Sequence, residues 1–287
     1  MKEFENQLFL KPVTEVIKNR ISIRSYKPKM LTEELKENII TFMENLSGPF
    51  SAKVRFKFVD SNILLENNQI KLGTYGMIRG ASSFIVSAVE NAEMNLEELG
   101  YEFEKLILYA HSLGLGTCWL GGTFKKGEFS KAMNLNSDEL LPTVSPIGYP
   151  NENKNFFDSL VRLAAGSKNR KNFEDIFFNK NFETPLSEES AGIYKTALNM
   201  VRLAPSASNK QPWRIVKDDT QFHFYLDHAK GYSDNLGFDM QRIDIGIALC
   251  HFDLTAKEMG LEGSFIKRVP SIKPLNENTE YIISWTE

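Results

Sequence analysis

Four stretches carry residue types that could do chemistry on a polar, planar ligand. The first is Arg202-Leu203-Ala204-Pro205-Ser206-Ala207-Ser208-Asn209-Lys210-Gln211-Pro212-Trp213, where small and amide-bearing residues lie between two prolines. Backbone N–H groups can approach a ligand closely in such a loop, with Trp213 as an apolar anchor. An ordinary helix-to-strand connection has a similar composition. The second is Arg20-Ile21-Ser22-Ile23-Arg24-Ser25-Tyr26. Alternate side chains of extended backbone share a face, so Arg20, Ser22 and Arg24 point one way and Ile21 and Ile23 the other. Two guanidinium groups flanking a hydroxyl suit a phosphate dianion, although a solvated strand edge reads the same. The third, Gly114-Leu115-Gly116-Thr117-Cys118-Trp119-Leu120-Gly121-Gly122, surrounds a tryptophan with glycines that expose backbone N–H groups or simply make a tight turn. The fourth is the basic run Lys168-Asn169-Arg170-Lys171.

Other chemistries find less support. His111, His223, His228 and His251 have no ligand spacing with cysteine or glutamate, so no metal site is expected. Cys118 has no paired base and reads as a small packing residue.

These stretches need elements to hold them. Pro12, Val13, Val16 and Ile17 read as a short helix running into the arginine segment. Thr32 opens a helix to about Leu46, broken by Ser47-Gly48-Pro49. Val54, Phe56 and Phe58 alternate with Arg55 and Lys57 as a half-buried strand, and Ser83–Val89 reads as a buried one. The clearest helix starts at Asn95 as N-cap, with Glu98 as capping-box partner, and stops at Gly114. Its stripe is Leu96, Leu99, Phe103, Leu106, Ala110 and Leu113. A strand follows over Pro142–Gly148.

The second half repeats this order. Leu186-Ser187-Glu188-Glu189 matches Leu31-Thr32-Glu33-Glu34. At the constant offset that carries Gly114 onto Gly260, Leu99, Phe103, Leu106, Ala110 and Leu113 fall on Ile245, Leu249, Phe252, Ala256 and Met259. Trp213–Lys217 and Gln221–Leu226 read as strands, and Tyr281–Trp285 as the closing edge of a sheet. The copies differ where chemistry is expected. Ser47-Gly48-Pro49-Phe50 stands in place of the Ala-Pro-Ser loop, and Phe182-Glu183-Thr184-Pro185 in place of the arginine segment.

The chain has 287 residues, a net charge of −3, 42% hydrophobic and 25% charged residues. That balance describes a globular protein and argues against nucleic-acid binding. No apolar run approaches the about 18 residues that span a membrane. Two cysteines fit a reducing cytoplasm.

Taken together the four segments resemble the nitroreductase family, specifically a single-chain form with two fused protomer-like halves. The resemblance covers nearly the whole chain. It implies an α+β, nitroreductase-like fold in which two related halves form an internal pseudo-dimer, with central sheets flanked by helices. Residues 1–180 form the first half, with phosphate cradle and Gly/Trp loop, and 181–287 the second, with the Ala-Pro-Ser loop. The implied cofactor is FMN, with NADH or NADPH as transient hydride donor. Carried over by position, Arg20, Ser22, Arg24 and Arg170, with Lys168, hold the FMN phosphate and ribityl chain. Pro205, Ser206, Ala207 and Asn209 line the opposite side of the flavin. Trp119 and Leu120 pack on the isoalloxazine, and the Gly121 and Gly122 N–H groups approach N5 and O4. Lys71 and Arg79 lie where the family places a polar group near N1/O2, but this region departs from the family pattern.

The implied activity is two-electron, ping-pong reduction of nitroaromatics, quinones or similar small-molecule acceptors. A flavin-binding protein without turnover and a flavin-dependent dehalogenase-like enzyme are the alternatives. The remaining expectations are one FMN per chain, a monomer acting as a pseudo-dimer, and no nucleic-acid or membrane partner.

Overall fold

The computed structural model describes residues 9–62, 66, 72–151, 169–233 and 236–287. Lys71 and Lys168 lie outside the described residues. The chain divides into two compact units. Unit 1 is Met1–Lys11 with Asn19–Ala164, and unit 2 is Pro12–Lys18 with Ala165–Glu287.

Helix α1 (Val13–Asn19) precedes the arginine segment, as its Val13, Val16 and Ile17 predict. In unit 1, helix α2 (Glu33–Glu44) starts where Thr32 Oγ1 accepts the Leu35 N–H at 3.3 Å. It leads to β1 (Val54–Asp60) and β2 (Ser83–Glu90), then to the long helix α3 (Asn95–Ser112). Strand β3 (Gly116–Thr117), helix α4 (Lys126–Met133), β4 (Glu139–Leu140) and β5 (Val144–Gly148) complete the unit. The sheet runs β1-β2-β5-β3, with β4 pairing β2, and every pairing is antiparallel. Phe84, Val86 and Ala88 of β2 pack on one face with Phe129 and Met133 of α4. Ile85 faces the other way, onto Phe103, Leu106 and Ile107 of α3 and Ile39 of α2. The strand is buried on both faces, its serines included, and the buried Ser87 hydroxyl donates to the Thr143 carbonyl at 2.6 Å.

In unit 2, β6 (Phe177–Asn179), helix α5 (Lys195–Leu203), β7 (Trp213–Asp218), β8 (Gln221–Asp227), helix α6 (Met240–Glu258), β9 (Ser264–Ile266) and β10 (Thr279–Thr286) follow in order. The sheet runs β6-β7-β8-β10-β9, with β6 parallel to β7 and the rest antiparallel. The path β7-β8-β10-β9 thus has the same order of pairing as β1-β2-β5-β3, each with a long helix between its second and third strands. Fully buried Phe222, Phe224, Phe252 and Trp285 join sheet and helix through tilted and edge-on ring contacts.

Several expectations change. The division differs from 1–180 and 181–287, because β6 pairs with β7 and because Glu258 of α6 accepts the N–H groups of Val13 and Thr14. Asn95 does not cap α3. Met94 takes the N-cap in a left-handed conformation (φ 58°), while Asn95 Nδ2 donates to the Glu90 carbonyl at 2.8 Å. Glu98, expected as the capping-box partner, instead reaches the turn after α2. Strand β10 lies inside its sheet and β9 forms the edge.

Candidate functional site

The arginine segment is held in unit 1 by the chain that follows α3. Gly114 ends the helix with φ +79°, and its N–H and that of Leu115 return to the carbonyls of His111 and Ala110. β3 then runs beside residues 22–23: Ser22 bridges Thr117, and the Ile23 N–H donates to the Thr117 carbonyl at 2.8 Å. A Cβ on Gly116 would stand 2.9 Å from Ile23 Cβ, so the glycine is what lets the two segments touch. On the far side, the Arg79 N–H donates to the Arg24 carbonyl and the Tyr26 N–H to the Arg79 carbonyl, both at 2.9 Å. The second and third sequence stretches are therefore neighbours, with Arg79 alongside.

The sidedness of the segment differs from expectation. Ile21 is 49% exposed and Arg20 only 9%. The cause is Glu104, a fully buried acid of α3 that sequence reading passed over. Trp119 Nε1–H donates to Glu104 Oε2 at 2.8 Å, and Arg20 Nε lies 3.6 Å from Oε1. A buried carboxylate needs a cation and donors, and it draws Arg20 inward. Arg20 Nε is nevertheless left buried without a hydrogen bond. The Ser22 hydroxyl and the Arg24 guanidinium are likewise engaged by no described residue. Burial, together with the charges of Arg20 and Lys11, lowers the pKa of His111 nearby. Cation and hydroxyl donors with unused capacity suit an anionic, oxygen-rich group.

Trp119 tilts on Phe103 with centroids 4.9 Å apart, its indole nitrogen fixed by Glu104. Leu120 departs from its expected role. It is buried in the core beside Phe84 and Val144, its backbone paired with Val144 at 3.0 Å in both directions. Gly121 and Gly122 form the bend after it and make no hydrogen bond to described residues.

The Ala-Pro-Ser loop belongs to unit 2. Helix α5 stops at Leu203, before Pro205. Arg170, expected in the phosphate cradle, here serves the loop: its guanidinium donates to the carbonyls of Leu203 and Ala204 and to Asn209 Oδ1, each at 2.9 Å. Asn209 Nδ2 donates to the Asn169 carbonyl at 2.7 Å, and Gln211 Oε1 accepts the Lys171 N–H at 2.9 Å. The two amides thus tie the basic run to the loop, and Asn209 is committed to its own scaffold. Ser206 Oγ accepts the Gln211 N–H at 2.9 Å. Asp244 of α6 accepts the Ala207 N–H at 2.9 Å. Trp213 is fully buried in the sheet and anchors no surface ligand. Pro205, Ser206 and Ala207 remain partly accessible. Arg20, Ser22, Arg24 and residues 119–122 lie in unit 1, and Arg170 with residues 205–209 in unit 2.

Among the described residues no cluster of three or more His, Cys, Asp or Glu could hold a metal, and no helix is long and apolar enough to cross a membrane. Cys118 and Cys250 are both buried and form no disulfide.

Helices flanking two sheets of matching strand order are the α+β architecture of nitroreductases. A "putative nitroreductase" from Thermotoga maritima superposes over 96% of this chain and 94% of its own, at TM-score 0.60 and 22% identity. A family model described as "Putative TM nitroreductase" matches residues 12–256, and the chain belongs to this nitroreductase family. A protein of Methanothermobacter thermautotrophicus, named "Putative NADH dehydrogenase/NAD(P)H nitroreductase", is 29% identical over 153 residues, covering 49% of this chain and 78% of the relative. A nitroreductase with bound FMN from Bacteroides fragilis aligns with 51% of this chain and 92% of its own, at 21% identity and TM-score 0.41.

Proposed function

We propose that this protein is an FMN-dependent NAD(P)H oxidoreductase of nitroreductase type. It would carry two electrons from NADH or NADPH to a small nitroaromatic, quinone or similar acceptor in two half-reactions. The observation that carries this reading is the Arg20-Ser22-Arg24 set, which has a buried orphan at Arg20 Nε and no described partner on Ser22 Oγ or the Arg24 guanidinium. Membership in the nitroreductase family and the name of the archaeal relative support it.

FMN, when bound, supplies the reversible uptake of an electron pair. The chain's own residues do the rest. Arg20, Ser22 and Arg24 donate to the phosphate, and Glu104 keeps Arg20 in place from beneath. Trp119, its indole nitrogen fixed, offers an aromatic wall, and the Gly121 and Gly122 N–H groups offer donors to ring acceptors. Pro205, Ser206 and Ala207 line the cofactor with little side-chain bulk. Flavin chemistry requires stacking and shielding from water, and no acid–base dyad.

The test is anaerobic. The FMN-loaded protein is mixed with NADH or NADPH, and the flavin absorbance is followed before and after adding a nitroaromatic or a quinone. Bleaching by either nicotinamide and recovery on addition of the acceptor are expected. Bound flavin that neither nicotinamide bleaches makes the protein a binding module, and failure to bind FMN ends the reading. We further propose one FMN per chain and a monomer in solution. A flavin-to-protein ratio near two at saturation would contradict the first, and an obligate dimer by light scattering the second.

A further inference from the structure

The loop of residues 204–211 is held in an unfavourable shape. Ser208, Asn209 and Gln211 all have left-handed backbone, with φ of 48°, 53° and 48°, and none is glycine. Such residues persist only where the surroundings over-determine them. Arg170 holds the start of the loop at the Leu203 and Ala204 carbonyls and its later part at Asn209 Oδ1, and Tyr232 OH donates to Ser208 Oγ at 2.8 Å. At its centre the hold is one bond from the core, Ala207 N–H to Asp244 Oδ1 at 2.9 Å. Asp244 is 2% exposed, and its Oδ2 is buried without a partner.

Unit 1 contains the same device under a different sequence. At the offset carrying Gly114 onto Gly260, Glu98 of α3 falls on Asp244 of α6. Glu98 accepts the N–H groups of Gly48 at 3.0 Å and Phe50 at 2.8 Å, in the turn after α2, just as Asp244 accepts from the turn after α5. A Cβ on Gly48 would stand 2.6 Å from the Glu98 carboxylate oxygens, so that glycine is required by the acid's approach. The two turns share no sequence, yet each is tied to its long helix by an acid at the corresponding position. The tether belongs to the fold, and what differs is the surface it holds up.

We propose that Asp244 is a positioning residue for the cofactor. Through the Ala207 N–H it sets the Pro205-Ser206-Ala207 backbone in its ligand-ready shape, whereas its counterpart Glu98 holds a turn that takes no part in binding. This rests on the FMN reading above. Burial pushes the Asp244 carboxyl up to about 8, so at neutral pH it holds the loop as a neutral acceptor and an amide can replace it.

The test measures FMN dissociation constants and urea unfolding midpoints for the wild type and for Asp244→Asn, Asp244→Leu and Glu98→Leu. A wild type that binds no FMN refutes the parent reading and leaves no loop function to assign to Asp244. Where the wild type binds, Asp244→Asn keeps an acceptor oxygen and stays within about threefold, and Asp244→Leu weakens binding about tenfold or more. Glu98→Leu lowers the unfolding midpoint but leaves FMN affinity within about threefold. Should Asp244→Leu not fold, Ala207→Pro removes the donor from the other side. Ser206 already has the extended backbone that precedes proline (φ −145°, ψ 157°), and the same loss of affinity is expected. Unchanged affinity in Asp244→Leu or Ala207→Pro, or an Asp244→Asn variant as weak as Asp244→Leu, overturns the proposal.

Discussion

Helices α3 and α6 occupy the same place in two sheets of the same strand order, yet they bury different chemistry. α3 carries Glu104 beneath Arg20 and the Trp119 indole. At the corresponding positions unit 2 has Cys250 on α6 and Phe265 on β9, and Phe182-Glu183-Thr184-Pro185 replaces the arginine segment. Acid, cation and indole N–H occur together in one unit and are missing together from the other. Each of the three left alone in a core is an unsatisfied group costing a few kcal/mol. The set therefore has no stable partial form, and that explains why its three members stand together in one unit and none of them stands at the corresponding positions of the other.

The largest effect should come from breaking this set at its base. Glu104→Cys gives α3 the residue of α6 and leaves Arg20 buried and unpaired, at a cost of about 3–5 kcal/mol. Urea unfolding should show most of that loss recovered when Arg20→Leu and Trp119→Phe are added. A triple variant no more stable than Glu104→Cys would break the comparison. Next comes Arg24→Ala, which removes one charge-assisted contact to a phosphate, about 1.5–3 kcal/mol. FMN affinity should fall tenfold or more with the unfolding midpoint unchanged. An unchanged dissociation constant removes Arg24 from the cradle.

A smaller effect, common to the two tethering acids, is read by pH. The folded-state pKa of Asp244 is raised by burial, with Asp239 adding to it, while Tyr232 faces it from the neighbouring loop. Its contribution is fully present below the unfolded value near 4 and is lost as pH rises through about 8. Asp244→Asn should therefore unfold at higher urea than the wild type at pH 8, and the gap should close as pH falls towards 4. In unit 1, Glu98 and Glu102 share a hydrogen bond, and burial raises both, Glu102 to about 8. Glu102→Gln should show a trend of the same sign. The smallest effect is that of Trp119→Phe alone, about 1 kcal/mol for one hydrogen bond to Glu104, read from the same denaturation curves.

Much of the fold was legible because its elements obey strong periodicity. Both long helices, the stops at Gly114 and Gly260, and the strands at 54–60, 83–90 and 221–227 follow from spacing and glycine alone. The start of α3 at Asn95 was legible but its cap was not, since Met94 caps it in a left-handed conformation that its residue type does not announce. The site was legible as segments and less so as roles. Arg170 and Asn209 have the chemistry of ligand contacts, but in the fold they satisfy helix-end carbonyls and each other. Glu104 sits between the stripe residues Phe103 and Leu106, and nothing local marks it as buried, because the arginine that justifies its burial is distant in sequence. Asp244 is hidden for the same reason, its partner being a backbone N–H.

The bond between α1 and Glu258 has a consequence for how the molecule is made. Val13 and Glu258 are 245 residues apart, and the chain enters unit 2 at residue 12, leaves it at 19 and returns at 165. A ribosome adding about 5–20 residues per second needs on the order of ten seconds or more to travel that distance. A helix of 7 residues has no lasting stability of its own during that wait. Helix α1 is therefore among the last elements to settle, and a chain halted before Glu258 leaves the tunnel has no carboxylate to receive the Val13 and Thr14 N–H groups.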